Sequence, residues 1–194
     1  GMILNDCFDL QEDRRDRPQR PLPAGRIPLR NAWMLGWLLM LCGCLLAALV
    51  GQTQLLIALI LSAAILAYDA WLKKYFIGTL VMGGCRYLNW LLGLSVVPLT
   101  ASDWALPIPV FIYIFSLTSL SRIETDAGSS GPLTICISGV VASACSLTLL
   151  YVLGILQHGW ALVPAAILLI PLLHSLVSNY RNMNTHTIQA NVKL

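Results

Sequence analysis

The sequence predicts an all-α, multi-pass transmembrane helical bundle, and three observations predict it. Of 194 residues, 57% are hydrophobic and 11% charged, with a mean hydropathy of +0.74; a soluble globular domain carries roughly a quarter charged residues. The apolar runs approach the roughly 20 residues that carry a helix across a bilayer, and are too long for barrel strands. The lysines and arginines between the runs all fall on one side of the zigzag the runs imply.

Six spans are expected. The first is 32–50, closed by the turn "GQTQ". The second, 55–68, is short. The third, 77–98, is entered through "KKYF". The fourth is 104–120 and the fifth 133–156. The sixth, 160–178, contains Pro164 and Pro171, which spanning helices tolerate, often with a kink. Arg14, Arg15, Arg17, Arg20, Arg26 and Arg30 precede the first span. Lys73 and Lys74 lie between the second and third, Arg122 between the fourth and fifth, and Arg181 and Lys193 after the sixth. The turns "GQTQ", "LTASD" and "QHG" hold no Lys or Arg, so the basic side is cytoplasmic by the positive-inside rule. Trp37, Trp71, Trp104 and Trp160 sit near span ends as interface anchors. The six cysteines are scattered, mostly in apolar runs, without zinc spacing, and read as small hydrophobes. Residues 1–194 read as one membrane domain, with 5–30 a charged cytoplasmic segment. The chain starts at "MIL" and stops at "TIQANVKL" in mid-pattern, so the expectation is an internal piece of a longer protein.

The charged segment opens the chain: "NDCFDLQEDRRDRPQRPLPAGR". Asp6, Asp9, Asp13 and Asp16 are spaced three, four and three, which on a helix aligns the carboxylates along one face, with Asn5 on the same side. Like charges so placed repel by about 0.2–0.5 kcal/mol per pair in water, so a cation is expected there. A few hard oxygen ligands suit a Mg²⁺ that keeps waters and shares its shell with a substrate phosphate. Pro18 disfavours helix at Arg17, so the acidic helix should end there. Arg17 and Arg20 then supply guanidinium forks that match phosphate oxygens. Two readings stand side by side: a Mg²⁺–diphosphate site whose substrate tail lies in the bilayer, or a solvated loop obeying the positive-inside rule. The second explains the arginines but not the in-phase carboxylates.

The segment "NDCFDLQEDRRDRPQRPLPAGRI" resembles the first signature of the UbiA superfamily of membrane prenyltransferases, of the form NDxxDxxxDxxxRPxRPLPSGRI. A second stretch, "YDAWLKKYFIGTLVMGGCRYLN", is similar to the family's Tyr-x-x-x-Leu-Lys segment and the helix after it, with wording most like the EboC-like branch associated with secondary metabolism. Members have nine helices; by that comparison about six are present here. The resemblance implies that Asn5, Asp6, Asp9 and Asp13 bind Mg²⁺, that Arg17 and Arg20 lie beside a diphosphate, and that Tyr68 and Lys73 approach the phosphates. It implies ionisation of an allylic diphosphate and alkylation of an acceptor: an aromatic ring, a glycerol phosphate or a tetrapyrrole. Its partners would be an isoprenyl diphosphate, an acceptor and the lipid bilayer, with no nucleic acid among them.

The family's second acidic motif, DxxxD, has no unique counterpart. The chain carries "SLSRIETDAGSSG", in which Glu124 and Asp126 are the acids and Arg122 a neighbouring cation. Those acids complete a second metal site or lie in a solvated loop. Asp69 precedes Lys73 by four, which suits either an intrahelical ion pair or a substrate contact. Arg86, with Asn89 three later, either faces the central cavity and meets diphosphate or snorkels to the interface. His174 is read as a packing donor or, less readily, a catalytic base; His158 and His186 are read as peripheral, and Met82 with Gly83-Gly84 as close helix packing. The leading expectation is an intramembrane, Mg²⁺-dependent prenyltransferase. The alternatives are an altered relative that binds or presents a polyprenyl phosphate, and a small transporter, against which the absence of repeat symmetry counts.

Overall fold

The computed structural model describes residues 1–123 and 131–156, with four isolated positions beyond them, 163, 170, 174 and 178. The described residues form seven α-helices and a short 3₁₀ turn, without strands. They are α1 (Met2–Phe8), α2 (Leu10–Asp16), α3 (Leu29–Val50), α4 (Gln52–Ala70), the 3₁₀ turn Leu72–Lys74, α5 (Ile77–Leu94), α6 (Ile108–Ile123) and α7 (Gly131–Val152). The chain divides into two compact units, residues 1–99 and 100–194.

In the first unit α3 pairs with α4, and α4 with α5, while the short α1 lies against α3 and α4. At about 1.5 Å per residue α3 is roughly 33 Å long. Both α3 and α4 are long and apolar enough to cross a membrane, with mean hydropathies of 2.3 and 1.8. The outer face of α3 exposes Trp37, Leu38, Leu41 and Leu45. Such a surface is unfavourable in water and suited to lipid. The α1 helix docks through Leu4, which is fully buried against Gly36 of α3. A Cβ at Gly36 would meet Leu4 Cδ2 at 2.5 Å, so the notch needs glycine. Phe8 meets Trp33 edge-on at 5.0 Å, a geometry worth about 0.5–1.5 kcal/mol beyond its area. At the far end of the pair, the Gln54 side-chain amide donates to the Ser95 carbonyl, fastening the start of α4 to the end of α5.

Five of the expected spans coincide with helices, with shifted ends. The second is not short: α4 runs from Gln52 to Ala70 and carries Asp69 within it. Apolarity measures what lipid accepts, whereas backbone hydrogen bonding continues through the polar residues at both ends. The third stops at Leu94, where the Ser95 hydroxyl donates back to the Leu92 carbonyl. In the second unit α6 packs along α7. A Cβ at Gly139 would collide with the Ser116 side chain, so these helices touch closely at that level. The Ser143 hydroxyl donates to the Pro109 carbonyl at 2.8 Å. The fifth span ends at Val152, earlier than expected, because Gly154 takes φ +74° and closes the helix. The sixth span, Glu124 and Asp126 lie outside the described residues, apart from the isolated positions, as do His158 and His186.

Candidate functional site

The acidic segment folds as expected, with one inflection. α1 and α2 meet at Asp9 (φ −86°, ψ 2°), yet the i to i−4 bonds run through it: Asp9 N–H to Asn5 at 2.9 Å and Asp13 N–H to Asp9 at 2.8 Å. The helix stops at Arg17 (φ −144°), the residue before Pro18. A compact turn follows, in which the Arg20 N–H reaches Arg17 at 3.1 Å and the Ala24 N–H reaches Arg20 at 2.9 Å. Gly25 supplies the left-handed conformation (φ +71°) that lets the chain turn towards α3.

That turn brings Arg20 back over the acidic helix. Its Nη1 donates to Asp13 at 2.7 Å and approaches Asp6 at 3.5 Å. Asp13 is 6% exposed, and Arg20 supplies this buried carboxylate with a counter-charge and a donor. Asp9 is paired with Lys73, which arrives from the 3₁₀ turn after α4. The carboxylates of the first signature therefore reach different cations. Asp16 makes a surface fork with Arg15 at 2.8 Å, which lowers the Asp16 carboxyl and raises the Arg15 guanidinium from their ordinary values. Arg17 is exposed. Burial pushes the Lys73 ammonium down, and repulsion from Lys74 adds to it.

Lys73 sits where it does because α4 ends at Ala70 and Trp71 leaves the helix (φ −138°). Asp69 and Lys73 are therefore no longer one helical turn apart, and no ion pair joins them. Asp69 is 5% exposed and its Oδ2 has no hydrogen-bond partner. Gly78, at the start of α5, lies so close to the Leu72 carbonyl that a Cβ there would collide with it. That contact fixes the turn bearing Lys73.

Two polar cavities open beside these groups. One, of about 530 Å³, is lined by Asn5, Asp6, Arg20, Tyr68, Asp69 and Arg86, with Leu61, Ile65 and Met82 as its apolar wall. Leu61, Ile65 and Tyr68 recur on one face of α4, and Met82, Cys85, Arg86 and Asn89 on one face of α5. The other, of about 570 Å³, is lined by Asp9, Glu12, Arg15, Asp69, Lys73 and Lys74. Asn5, Asp6, Tyr68 and Arg86 thus share one cavity, and Asp9 and Lys73 the other. Arg122 lies on α6 in the second unit, and its side chain is outside the described residues. His174 is exposed. Spacing suggested a partner for Asp69; its isolation follows only from the helix end at Trp71, which no Gly or Pro announces.

The donor set bears on Mg²⁺. Among the described residues no three acidic, Cys or His side chains converge as a closed cage. Asp6 is half exposed, with only a long contact to Arg20, and Asn5 lines the same cavity. Hard oxygen donors with free valence fit an ion that takes one or two carboxylates and completes its shell with water and phosphate. Asp13, spent on Arg20, fits a role in holding that guanidinium.

Comparison with known proteins follows from this geometry. The model of the UbiA prenyltransferase family matches residues 1–193. The chain is similar to digeranylgeranylglyceryl phosphate synthases. That of Metallosphaera sedula is 39% identical over 125 residues, covering 63% of this chain and 43% of the relative. That of Sulfurisphaera tokodaii is 34% identical over 122 residues, covering 61% and 43%. That of Methanothrix thermoacetophila is 42% identical over 73 residues, covering 38% and 27%. The chain thus matches less than half the length of these relatives. No solved structure matches it.

Proposed function

The chain belongs to the UbiA prenyltransferase family, and from that premise we propose that it transfers an isoprenyl group from an allylic diphosphate to a small acceptor in a membrane. The relatives' name denotes a glyceryl phosphate bearing two geranylgeranyl groups, so the acceptor proposed is a glyceryl phosphate with a free hydroxyl. The observation that carries the reading is the meeting of three carboxylates of one helical segment with Arg20 and Lys73, cations from two other segments.

Lys73 and Lys74 attract the diphosphate, and Lys73 neutralises charge as the pyrophosphate leaves. Arg20, held by Asp13, presents its remaining donors to the 530 Å³ cavity, with Tyr68 and Arg86 beside it. Arg17 meets the diphosphate from the turn, and Arg122 would act from α6. Groups placed before the reaction to meet developing charge cost no reorganisation when it occurs. Asn5, Asp6 and Asp9 would hold Mg²⁺, with Glu124 and Asp126 as further donors. When bound, the metal neutralises the leaving pyrophosphate as a Lewis acid. Leu61 and Ile65 offer apolar contact to the isoprenyl chain and keep water from the allylic carbon. The bundle spans the cell membrane with these motifs on its cytoplasmic side, as the placement of Lys and Arg supports.

The test uses the intact protein in membranes, with radiolabelled allylic diphosphates, Mg²⁺ and a lipid extract, and follows pyrophosphate release beside Asp9→Asn and Lys73→Ala. Mg²⁺-dependent release in wild type, lost in both variants, supports transfer. Release that either variant leaves intact overturns these roles. The pairing of Asp9 and Asp13 with protein cations favours one second reading, in which the protein binds a polyprenyl diphosphate without cleaving it. Tight Mg²⁺-dependent binding without release would select that reading.

A further inference from the structure

The two polar cavities share one residue. Asp69 lines both the cavity of Asp6, Arg20 and Arg86 and the cavity of Asp9, Lys73 and Lys74. It is 5% exposed, and its Oδ2 is buried without a donor. An unsatisfied buried polar atom is costly, more so when charged, and an ionisable group within a spanning helix marks function by default. The nearest cation in sequence, Lys73, is committed to Asp9. The family signature matched by Tyr68 and Lys73 assigns nothing to the position between them that Asp69 occupies.

Each cavity carries cations suited to a phosphate, and the reaction proposed above brings together two phosphate-bearing molecules, one a diphosphate and the other an alcohol. We propose that Asp69 is the residue that receives the acceptor's hydroxyl. Its carboxylate accepts a hydrogen bond from the O–H where the two cavities meet, and so aims the acceptor oxygen at the allylic carbon. As the bond from that carbon to the diphosphate oxygen breaks, the electron pair leaves with pyrophosphate. A lone pair of the acceptor oxygen forms the new C–O ether bond, and the hydroxyl proton passes to Asp69. This inference rests on the transfer reading, but its recognition step can be measured without turnover.

The experiment uses the intact protein in lipid nanodiscs, as wild type, Asp69→Asn and Asp69→Glu. Equilibrium binding is measured for geranylgeranylglyceryl phosphate as acceptor and, separately, for geranylgeranyl diphosphate with Mg²⁺; transfer and thermal unfolding are followed beside them. In Asp69→Asn, acceptor affinity should fall about tenfold and transfer about a hundredfold, the scale of losing a charged hydrogen bond and a proton acceptor. Diphosphate affinity should stay within about twofold of wild type, since no contact to that substrate is removed. The melting temperature should be equal or higher, because an unpartnered buried carboxylate has been removed. Asp69→Glu should recover part of the acceptor affinity. The proposal is overturned if wild type binds no acceptor, if Asp69→Asn binds it equally, if diphosphate affinity falls in parallel, or if the variant loses stability. Acceptor binding that depends on Asp69 without any pyrophosphate release would sink the transfer reading and leave recognition by Asp69 standing. Transfer that is normal in Asp69→Asn would do the reverse.

Discussion

Arg20 turns back across seven residues to place its Nη1 2.7 Å from the carboxylate of Asp13, a pair in which the acid is buried and the guanidinium only partly so. Removing one partner therefore does more harm than removing both. Arg20→Ala should lower stability by about 2–3 kcal/mol, the range for hydrogen bonds to a charged group left unpaired. Adding Asp13→Asn to Arg20→Ala should recover part of that loss. Thermal unfolding of both singles and the double in one detergent gives the coupling energy; additive losses would show that the pair is not coupled.

The Lys73–Asp9 pair makes a different prediction. On the proposed reading Lys73 meets the leaving group, so in Lys73→Ala transfer should fall about 10²- to 10³-fold, comparable with loss of a preorganised donor. Lys73→Arg keeps the charge but not the ammonium's compact geometry, and should fall between. Single-turnover pyrophosphate release separates this from weakened binding. Equal rates in all three proteins would remove Lys73 from the reaction.

Gly78 lines neither cavity, yet on the proposed reading its substitution should impair transfer. A Cβ there meets the Leu72 carbonyl and the Lys73 backbone, so Gly78→Ala must displace the turn that carries the ammonium. An exposed Gly43→Ala, where a Cβ meets open space, is the control and should stabilise α3 slightly. Parallel transfer assays of the two variants check this; a fully active Gly78→Ala would mean that the turn tolerates the shift.

In the second unit, Asp103 accepts from the Thr100 N–H at 2.7 Å and the Thr100 hydroxyl at 2.8 Å. These bonds hold its carboxyl below the ordinary aspartate value. Its contribution to stability is present above that ordinary value and is lost as pH falls through the lowered one. The carboxyl carbon shift of Asp103, followed by NMR, should titrate below the usual aspartate range. Replacing Thr100 with Ala should move the midpoint back up.

The spans were legible because bilayer thickness imposes a length and charge is excluded from lipid, so composition alone outlines α3, α4 and α5. The end of the acidic helix was legible from Pro18, whose ring acts on the residue before it. The partners of the acids were not. Asp13 and Arg20 are joined across the turn that follows Pro18, and no spacing rule encodes its path. The separation of Asp69 from Lys73 was hidden for a related reason: the neighbour four residues on is removed by a helix end that lacks a local signal. Sequence spacing names which groups can meet along one helix, but not which meet after the chain turns.

On the transfer reading, the counter-ion at Asp9 also bears on how a polyphosphate would arrive. Because Lys73 already occupies Asp9, a diphosphate would enter by exchange, the Lys73 ammonium turning to a phosphate and leaving Asp9 free for another cation, with little net charge gained. Attraction between bare charges fades as the Debye length shrinks to about 8 Å at physiological ionic strength. Exchange between contacting groups is far less exposed to that screening. Binding here should consequently tolerate added salt better than the number of charges in the segment suggests.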